Sequence, residues 1–474
     1  MSAPLENLLR DARVDLVISR LEKDPSVINE VMKHLDSTIR SIKFNSILVL
    51  GELGKRSEQG IPKLITLLGD DDWSICREAV RSLGKIGNIA KDAVPTLSKL
   101  LERKEMSIRK DTAIVLGKIG NPTNESISSL IKALKDENEE VRAEVAKSLG
   151  EIGPVAQGAI PELMNSLKDV SWTVRTASAQ SISKIGKEST VAIPRLINAL
   201  EDKDWRVQYR VINTLVEIGT DTIPSLLEVL NHKKSNVRRG AIDALSEMNL
   251  TDPTIIKNIS LLLNDKVERV RGKVADALRN IGKAAVPALI AALERANTKM
   301  KRIIISAIGG IGKEADQAIP IIIALLRNPD QQKVYSKSFF DGLKRVISTF
   351  LKDPRSKKAS IQIEAARSLG KIGFDSEDAI YSLEKALNDP KKNVRRESAL
   401  ALGKLGSHSR IIIPSLIKAL DDKNPDVRWR SSEALGVIGV NTENVISGLN
   451  GLVHDEYNYV SESAIDALDK LVEE

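Results

Sequence analysis

One stretch decides the fold: AIPELMNSLKDVSWTVRTASAQSISKIG, residues 159–186. Its apolar residues recur at helical spacing in two blocks, 159–169 and 172–186, which predicts two antiparallel helices. Pro161 suits a first helical turn, where its missing N–H has no intrahelical partner to lose, and Gly186 suits the left-handed position that ends a helix. One such pair cannot bury its apolar face alone, so the stretch also predicts stacking against neighbouring pairs.

The same stretch recurs along the chain of 474 residues. Its ending, LGKIG or a close relative, returns six times at a step of 33 residues, at Gly54, Gly87, Gly120, Gly153, Gly186 and Gly219. Further endings follow at Asn249, Gly282, Gly312, Gly373, Gly406, Gly439 and Val472. We therefore predict an all-α fold, a right-handed α-solenoid (α-α superhelix) of about thirteen helix pairs.

Composition limits the class of protein only loosely. The 71 basic and 64 acidic residues give a net charge of +7, which permits a nucleic-acid or acidic-protein partner without indicating one. The single cysteine, Cys76, excludes an internal disulfide. The opening residues carry charges where a signal peptide needs an apolar core, and no run of eighteen apolar residues occurs. We expect a soluble, cytoplasmic protein that does not contact a membrane.

A second regularity links a turn aspartate to an arginine six residues later. The arginine fork can bridge carboxylates or turn carbonyls along successive repeats, so we predict a structural ladder that fixes the stacking angle. The alternative is a row of anion-binding sites. The ladder pairs are Asp136 and Arg142, Asp169 and Arg175, Asp265 and Arg271, Asp389 and Arg395, and Asp422 and Arg428.

The pattern AIPxLxxxLxD followed by WxVRxxAxxxLGxIG resembles HEAT repeats, and the short repeat with its LGxIG ending is similar to the phycobilisome-lyase-like (PBS lyase HEAT-like) subtype. The resemblance covers about residues 27–474. It implies an armadillo-like array of helix pairs. The subtype's name also suggests a lyase-like or oxidoreductase accessory role, which no residue in the sequence supports.

Four regions follow from the repeat pattern: an N-terminal capping helix at 1–26, an array at 27–327, an irregular interruption at 328–360, and a second array with a C-terminal cap at 361–474. The interval from Gly312 to Gly373, 61 residues, is close to two repeats.

The interruption is basic and aromatic. Residues 330–358 carry eight basic side chains against three aspartates, a local charge of +5, and three of the five phenylalanines. Such a stretch can contact acidic protein segments or nucleic acid, or it can be a degenerate repeat with a long second helix. Its candidate contact residues are Lys344, Arg345, Arg355, Lys357 and Lys358, the last three in a predicted loop, DPRSKK.

The second helices are predicted to line the concave face. A column of basic and aromatic residues recurs there, two places after the core position that holds valine, isoleucine or methionine, and is predicted to face solvent. It is either a contact surface or a set of solvated helix pairs. The column consists of Arg77, Lys110, Tyr209, Arg239, Arg302, Arg396 and Trp429. The other three tryptophans, Trp73, Trp172 and Trp205, recur at one repeat position, which predicts packing against the turn between helices.

No catalytic constellation emerges from the sequence. The four histidines lie in different repeats, and no two stand at the i, i+4 spacing of metal ligands on a helix. We expect no metal, no cofactor and no small-molecule substrate. The leading prediction is a non-catalytic scaffold or adaptor that binds a protein partner through its concave surface. The alternative is sequence-independent nucleic-acid binding through the basic rows and 330–358.

Overall fold

The computed structural model describes residues 4–120, 122–327, 355–406 and 409–472, and within these ranges every regular element is a helix. The residues form two compact units, Met1–Ala244 and Leu245–Glu474. None of the helices in the described ranges is both long and apolar enough to cross a membrane.

The first unit consists of two short N-terminal helices followed by helix pairs. Its helices are α1 (Leu5–Arg10), α2 (Val14–Lys23), α3 (Val27–Lys33), α4 (Arg40–Leu53), α5 (Ile61–Leu67), α6 (Trp73–Ile86), α7 (Val94–Leu100), α8 (Met106–Ile119), α9 (Asn124–Ala133), α10 (Glu139–Ile152), α11 (Ile160–Ser166), α12 (Trp172–Ile185), α13 (Ile193–Ala199), α14 (Trp205–Ile218), α15 (Ile223–Val229) and α16 (Ser235–Glu247), whose last turn extends beyond the unit.

The second unit continues the alternation of first and second helices. It contains α17 (Pro253–Leu261), α18 (Glu268–Ile281), α19 (Val286–Leu293), α20 (Thr298–Ile311), α21 (Ile319–Leu326), α22 (Arg355–Ile372), α23 (Glu377–Ala386), α24 (Lys392–Lys404), α25 (Ser409–Ala419), α26 (Pro425–Ile438), α27 (Glu443–Asn450) and α28 (Asn458–Val472). From α3 to α28 the described residues form thirteen helix pairs, which confirms the predicted all-α solenoid of repeats.

Each pair begins and ends on the residues that the pattern singles out. Asn138 caps α10 by accepting the backbone N–H groups of Glu140 and Val141. Gly153 ends α10 at a φ of +74°, a conformation that favours glycine. A short 3₁₀ turn then leads to α11, whose first turn contains Pro161. The chain therefore passes from one pair to the next through a 3₁₀ turn of only seven residues.

Successive second helices approach closely through small residues. A Cβ added to Gly150 would lie 2.8 Å from the Cα of Ser181, so no larger residue fits there. The Ser181 hydroxyl donates to the carbonyl of Ala146, 35 residues earlier, at 2.6 Å. Ser148 donates to the carbonyl of Ala113, again 35 residues earlier. This contact joins neighbouring repeats at a constant offset.

The N-terminal cap differs from its prediction. The sequence predicts one capping helix, whereas the structure has α1 and α2, separated at Ala12, whose φ is +54°. Leu5 and Leu9 of α1 are buried, and Asn45 of α4 donates to the carbonyl of Leu9 at 2.7 Å. The two helices thus cover the apolar end of the first pair, as a capping element must.

The long interval before Gly373 belongs to one repeat. Helix α22 packs against both α20 and α21, so α21 and α22 form a single pair. Ser368 of α22 donates to the carbonyl of Ile305, 63 residues earlier instead of 35. The additional 28 residues lie between the start of α21 and Ser368 of α22, so the interval of 61 residues holds one repeat with an insertion, in agreement with the count of thirteen repeats.

The predicted boundaries of the interruption change with it. Helix α22 begins at Arg355, so the stretch from Arg355 to Lys358 is helical, and neither the loop assigned to it nor the start of the second array at 361 is correct. Residues 328–354 lie outside the described residues.

Deleting residues 330–357, which are 28 in number, should leave the second unit folded, because it restores the spacing of the other repeats. We expect the mean helicity by circular dichroism to persist and unfolding in urea to remain cooperative. As a control, deleting residues 355–372 removes α22 itself and should abolish cooperative unfolding of the second unit. Loss of cooperativity in the first deletion would contradict the single-repeat assignment.

Candidate functional site

The ladder residues form a repeated fork between turns. Arg142 donates through Nη1 to the carbonyl of Asp136, in its own repeat, at 2.8 Å. Its Nε and Nη2 donate to the two carboxylate oxygens of Asp169, in the next repeat, at 2.7 and 2.9 Å. Asp169 also accepts the backbone N–H of Ser171, which fixes the turn that carries it. Each fork therefore ties two successive turns together.

The same fork recurs in both units. In four further pairs the arginine Nε lies 2.6 or 2.7 Å from the carboxylate of an aspartate 27 residues later. Arg271 donates to the carbonyl of its own Asp265 at 2.6 Å, and Gln362 takes the arginine's place beside Asp389, at 3.3 Å. The other forks are Arg109 to Asp136, Arg175 to Asp202, Arg395 to Asp422 and Arg428 to Asp455.

These forks are largely shielded from solvent, and their hydrogen-bond donors are already used. The side chains of Arg395 and Asp422 are 6% and 12% exposed, and the guanidinium nitrogens already donate to carboxylates and carbonyls. At the last fork, the hydrogen bond from Arg428 holds the pKa of the Asp455 carboxyl below its ordinary value. This geometry favours a structural ladder over a row of anion-binding sites.

Large aromatic side chains at the start of the second helices are exposed. Trp205 is 72% exposed, Tyr209 one turn later is 56% exposed, and Trp73 and Trp172 are 49% and 36% exposed. The prediction that the recurring tryptophans pack against the turn is therefore wrong. The repeat position they share lies just after the helix N-cap, where side chains point to solvent.

Trp172, Trp205, Arg206 and Tyr209 together form what we call the aromatic ridge. The Arg206 guanidinium lies 3.5 Å from the centroid of the Trp172 ring and is held by Asp204 at 2.7 Å. The ridge thus joins α12 to α14 in the first unit. Residues four apart lie on the same helix face, so Trp205 and Tyr209 point the same way.

The basic column is largely neutralised. Arg77 contacts Asp111 at 2.7 Å, Lys110 contacts Glu140 at 2.6 Å, and Arg396 contacts the neighbouring Glu397 at 3.1 Å. Exposed Arg302 and half-buried Arg239 make no ion pair within the described ranges. The column is therefore a mixture of ion pairs and isolated charges.

Trp429 lies in a second aromatic cluster, in the second unit. It is half-buried, unlike the exposed position predicted for it, because Tyr459 meets its ring edge-on at a centroid distance of 5.6 Å and Arg430 lies 3.7 Å from its centroid. Tyr457, 41% exposed, lies 6.0 Å from Tyr459. Sequence reasoning missed both tyrosines, because the last repeat lacks the consensus that would have aligned them.

The remaining candidates belong to the interruption. Lys344 and Arg345 lie outside the described residues, and so do the side chains of Arg355 and Lys357, although their backbone belongs to α22. Lys358 is half-buried in the same helix.

The described residues offer little support for a metal site or a reactive cysteine. In the described ranges no three histidine, cysteine or acidic residues cluster as metal ligands. Cys76 is buried and donates to the carbonyl of Leu68 at 3.1 Å, and burial raises the pKa of its thiol, which disfavours the nucleophilic thiolate.

Comparison with known families agrees with this architecture. The family model described as HEAT repeats matches residues 28–115, 61–131, 127–193, 193–279 and 347–413, more than half of the chain. The chain belongs to the HEAT-repeat family. Two further models, HEAT repeat and PBS lyase HEAT-like repeat, match residues 412–441 and 270–295. The resemblance read from the LGxIG endings is confirmed.

Individual proteins are more distant from this HEAT-repeat chain. No curated protein sequence matches it. Similar solved structures include importin beta, at 12% identity over 94% of this chain and 70% of that one, with a TM-score of 0.47. A Kap95p–RanGDP structure has 13% identity over 95% and 72%, with a TM-score of 0.44, and an engineered protein has 20% identity over 87% and 98%, with a TM-score of 0.27. At these values the likeness carries no information about function.

Replacing Asp422 by asparagine should lower the free energy of unfolding by about 3 kcal/mol, because the buried Arg395 guanidinium loses its counter-charge. Urea denaturation followed by circular dichroism measures the change. The matched control is Asp421→Asn, an exposed neighbour, which should shift the transition very little. Equal effects of the two substitutions would show that the fork does not stabilise the stack.

Proposed function

We propose that this chain is a non-catalytic scaffold or adaptor that binds a protein partner on the face formed by its second helices, with the aromatic ridge as an anchor. The observation that carries the proposal is the 72% exposure of Trp205 beside the 56% exposure of Tyr209. The chain has only four tryptophans, and exposing one so fully has no benefit for folding.

The ridge has the chemistry of an interface anchor. Tryptophan, tyrosine and arginine are the residues that most often dominate binding energy at protein interfaces. The stack of Arg206 on Trp172 and the ion pair to Asp204 hold these side chains in place before binding, which reduces the entropy lost on association. Because α12 and α14 are packed helices, the ridge is presented on a rigid support.

Two other functions have less support. Nucleic-acid binding needs several free basic side chains, and three of the five basic residues in the column are paired with acids. An accessory lyase or oxidoreductase role would rest on family likeness alone, and a fold does not specify a reaction.

The test is capture of partners from a cytosolic lysate, since we also propose a cytoplasmic location, with wild-type protein beside the double variant Trp205→Ala/Tyr209→Ala. Loss of one such anchor, worth about 2 kcal/mol, weakens binding roughly thirtyfold, so loss of both should weaken binding of the partner by roughly thirtyfold to a thousandfold. Quantitative mass spectrometry of the captured proteins gives the readout.

The matched control is Tyr381→Ala, which removes a tyrosine that is 50% exposed on α23, a first helix. Its partner recovery should equal that of wild type. A second arm adds nuclease before capture. Unchanged recovery supports a protein partner, whereas recovery that disappears with nuclease and falls steeply with salt indicates nucleic acid and contradicts the proposal.

A further inference from the structure

A second set of contacts between repeats pairs an acid with an arginine of the preceding second helix. Each second helix that takes part has a core valine or isoleucine, such as Ile75 in α6 and Ile108 in α8. The acid of a pair lies three residues after this core residue in one helix, and the arginine lies six residues after the corresponding core residue in the preceding second helix. Arg81 of α6 thus contacts Asp111 of α8 at 2.7 Å. Arg367 of α22 contacts Glu397 of α24 at 3.3 Å. We call these contacts cross-repeat pairs.

Glu78 occupies the acid position of α6 but has no partner. It is only 6% exposed, yet within the described residues its carboxylate makes no hydrogen bond and no ion pair. The reason lies on the preceding second helix, α4, where Leu48 stands at the arginine position. One cross-repeat pair is therefore missing its cation.

The nearby cations do not replace it. Arg77 and Arg81 both donate to Asp111 at 2.7 Å, and Lys85 donates to Glu52 at 2.7 Å. Burial of the Glu78 residue disfavours the charged form of its side chain and raises the pKa of its carboxyl. A donor that entered from solvent would relieve this cost.

An open groove leads to the unpaired carboxyl. It has a volume of about 440 Å³ and is lined by apolar Leu48, Ile114 and Val115, by the acids Glu78 and Asp111, and by the cations Arg81, Lys85 and Lys118. Leu48 and Ile114 offer apolar contact, which suits the methylene stem of a long basic side chain whose charged head reaches the carboxylate.

We propose that this groove binds the guanidinium group of an arginine side chain from a partner protein, which completes the missing cross-repeat pair at Glu78. Arginine fits better than lysine, because its planar fork donates two parallel hydrogen bonds to a carboxylate. The chain itself uses arginine at this position in α6 and α22. The inference goes beyond the proposed function and does not depend on the aromatic ridge.

The first experiment titrates the full chain with Nα-acetyl-arginine-methylamide and follows binding by isothermal calorimetry or by NMR of the added ligand. Glu78→Gln should weaken binding roughly tenfold or more, because it removes the charge-assisted hydrogen bonds. The matched control is Glu144→Gln, the same helix position in α10, where the acid already contacts Lys147 at 2.7 Å. This control should bind like wild type.

Three comparison ligands define the chemistry. The citrulline analogue, which is uncharged, should not bind detectably, and the lysine analogue should bind more weakly than the arginine compound. Free arginine, which carries charged termini, should also bind more weakly; tighter binding of free arginine would overturn the assignment to a protein side chain. Binding of Nα-acetyl-glutamate in place of the arginine compound would show an anion site and overturn the proposal.

A second variant keeps the inference testable without the ligand. Leu48→Arg puts the missing guanidinium on α4, so it should raise the urea midpoint and remove binding of the arginine compound. The double variant Leu48→Arg/Glu78→Gln cannot form the cross-repeat pair, so its urea midpoint should not rise. If Leu48→Arg leaves both the midpoint and the binding unchanged, the groove is not a guanidinium site.

Discussion

The bidentate contact from the arginine of one repeat to the aspartate of the next sets the geometry on which the rest of the structure depends. Because Arg142 also holds a carbonyl of its own turn and Asp169 also holds a backbone N–H, the fork fixes two turns at once. The stacking it defines is close enough for Gly150 to meet the helix of Ser181. The serine contacts between successive second helices span the same interface between repeats.

Much of this architecture can be predicted from the sequence, because each repeat places the same residue types at the same positions. The six-residue spacing of Asp136 and Arg142 predicts a shared role, but the carboxylate that Arg142 reaches belongs to Asp169. The identity of that partner depends on how successive repeats stack. The spacing of residues within one repeat gives no information about stacking. The 61-residue interval is a related case: its length alone is close to two repeats, whereas the contact of Ser368 with Ile305 shows one repeat interrupted between its two helices.

The surface was predicted less well than the core. Recurrence of Trp73, Trp172 and Trp205 at one position establishes a shared environment, yet recurrence alone does not say whether that environment is core or solvent. Glu78 differs from the tryptophans, because it is singled out by a change in the pattern: Leu48 of the previous repeat occupies the position where α6 and α22 have an arginine. In a regular repeat array, candidate binding residues are found where a repeat departs from the pattern or exposes large side chains. The groove at Glu78 is a case of the first kind, and the aromatic ridge is a case of the second.

The most direct test of the account is a double-mutant cycle on Arg142 and Asp169, with each side chain replaced singly and together and the free energy of unfolding measured in urea. The account predicts a coupling free energy of about 2 kcal/mol, because the two side chains, each 12% exposed, form a bidentate pair between repeats. Additive effects, with coupling below about 0.5 kcal/mol, would contradict the claim that this fork holds the repeats in register.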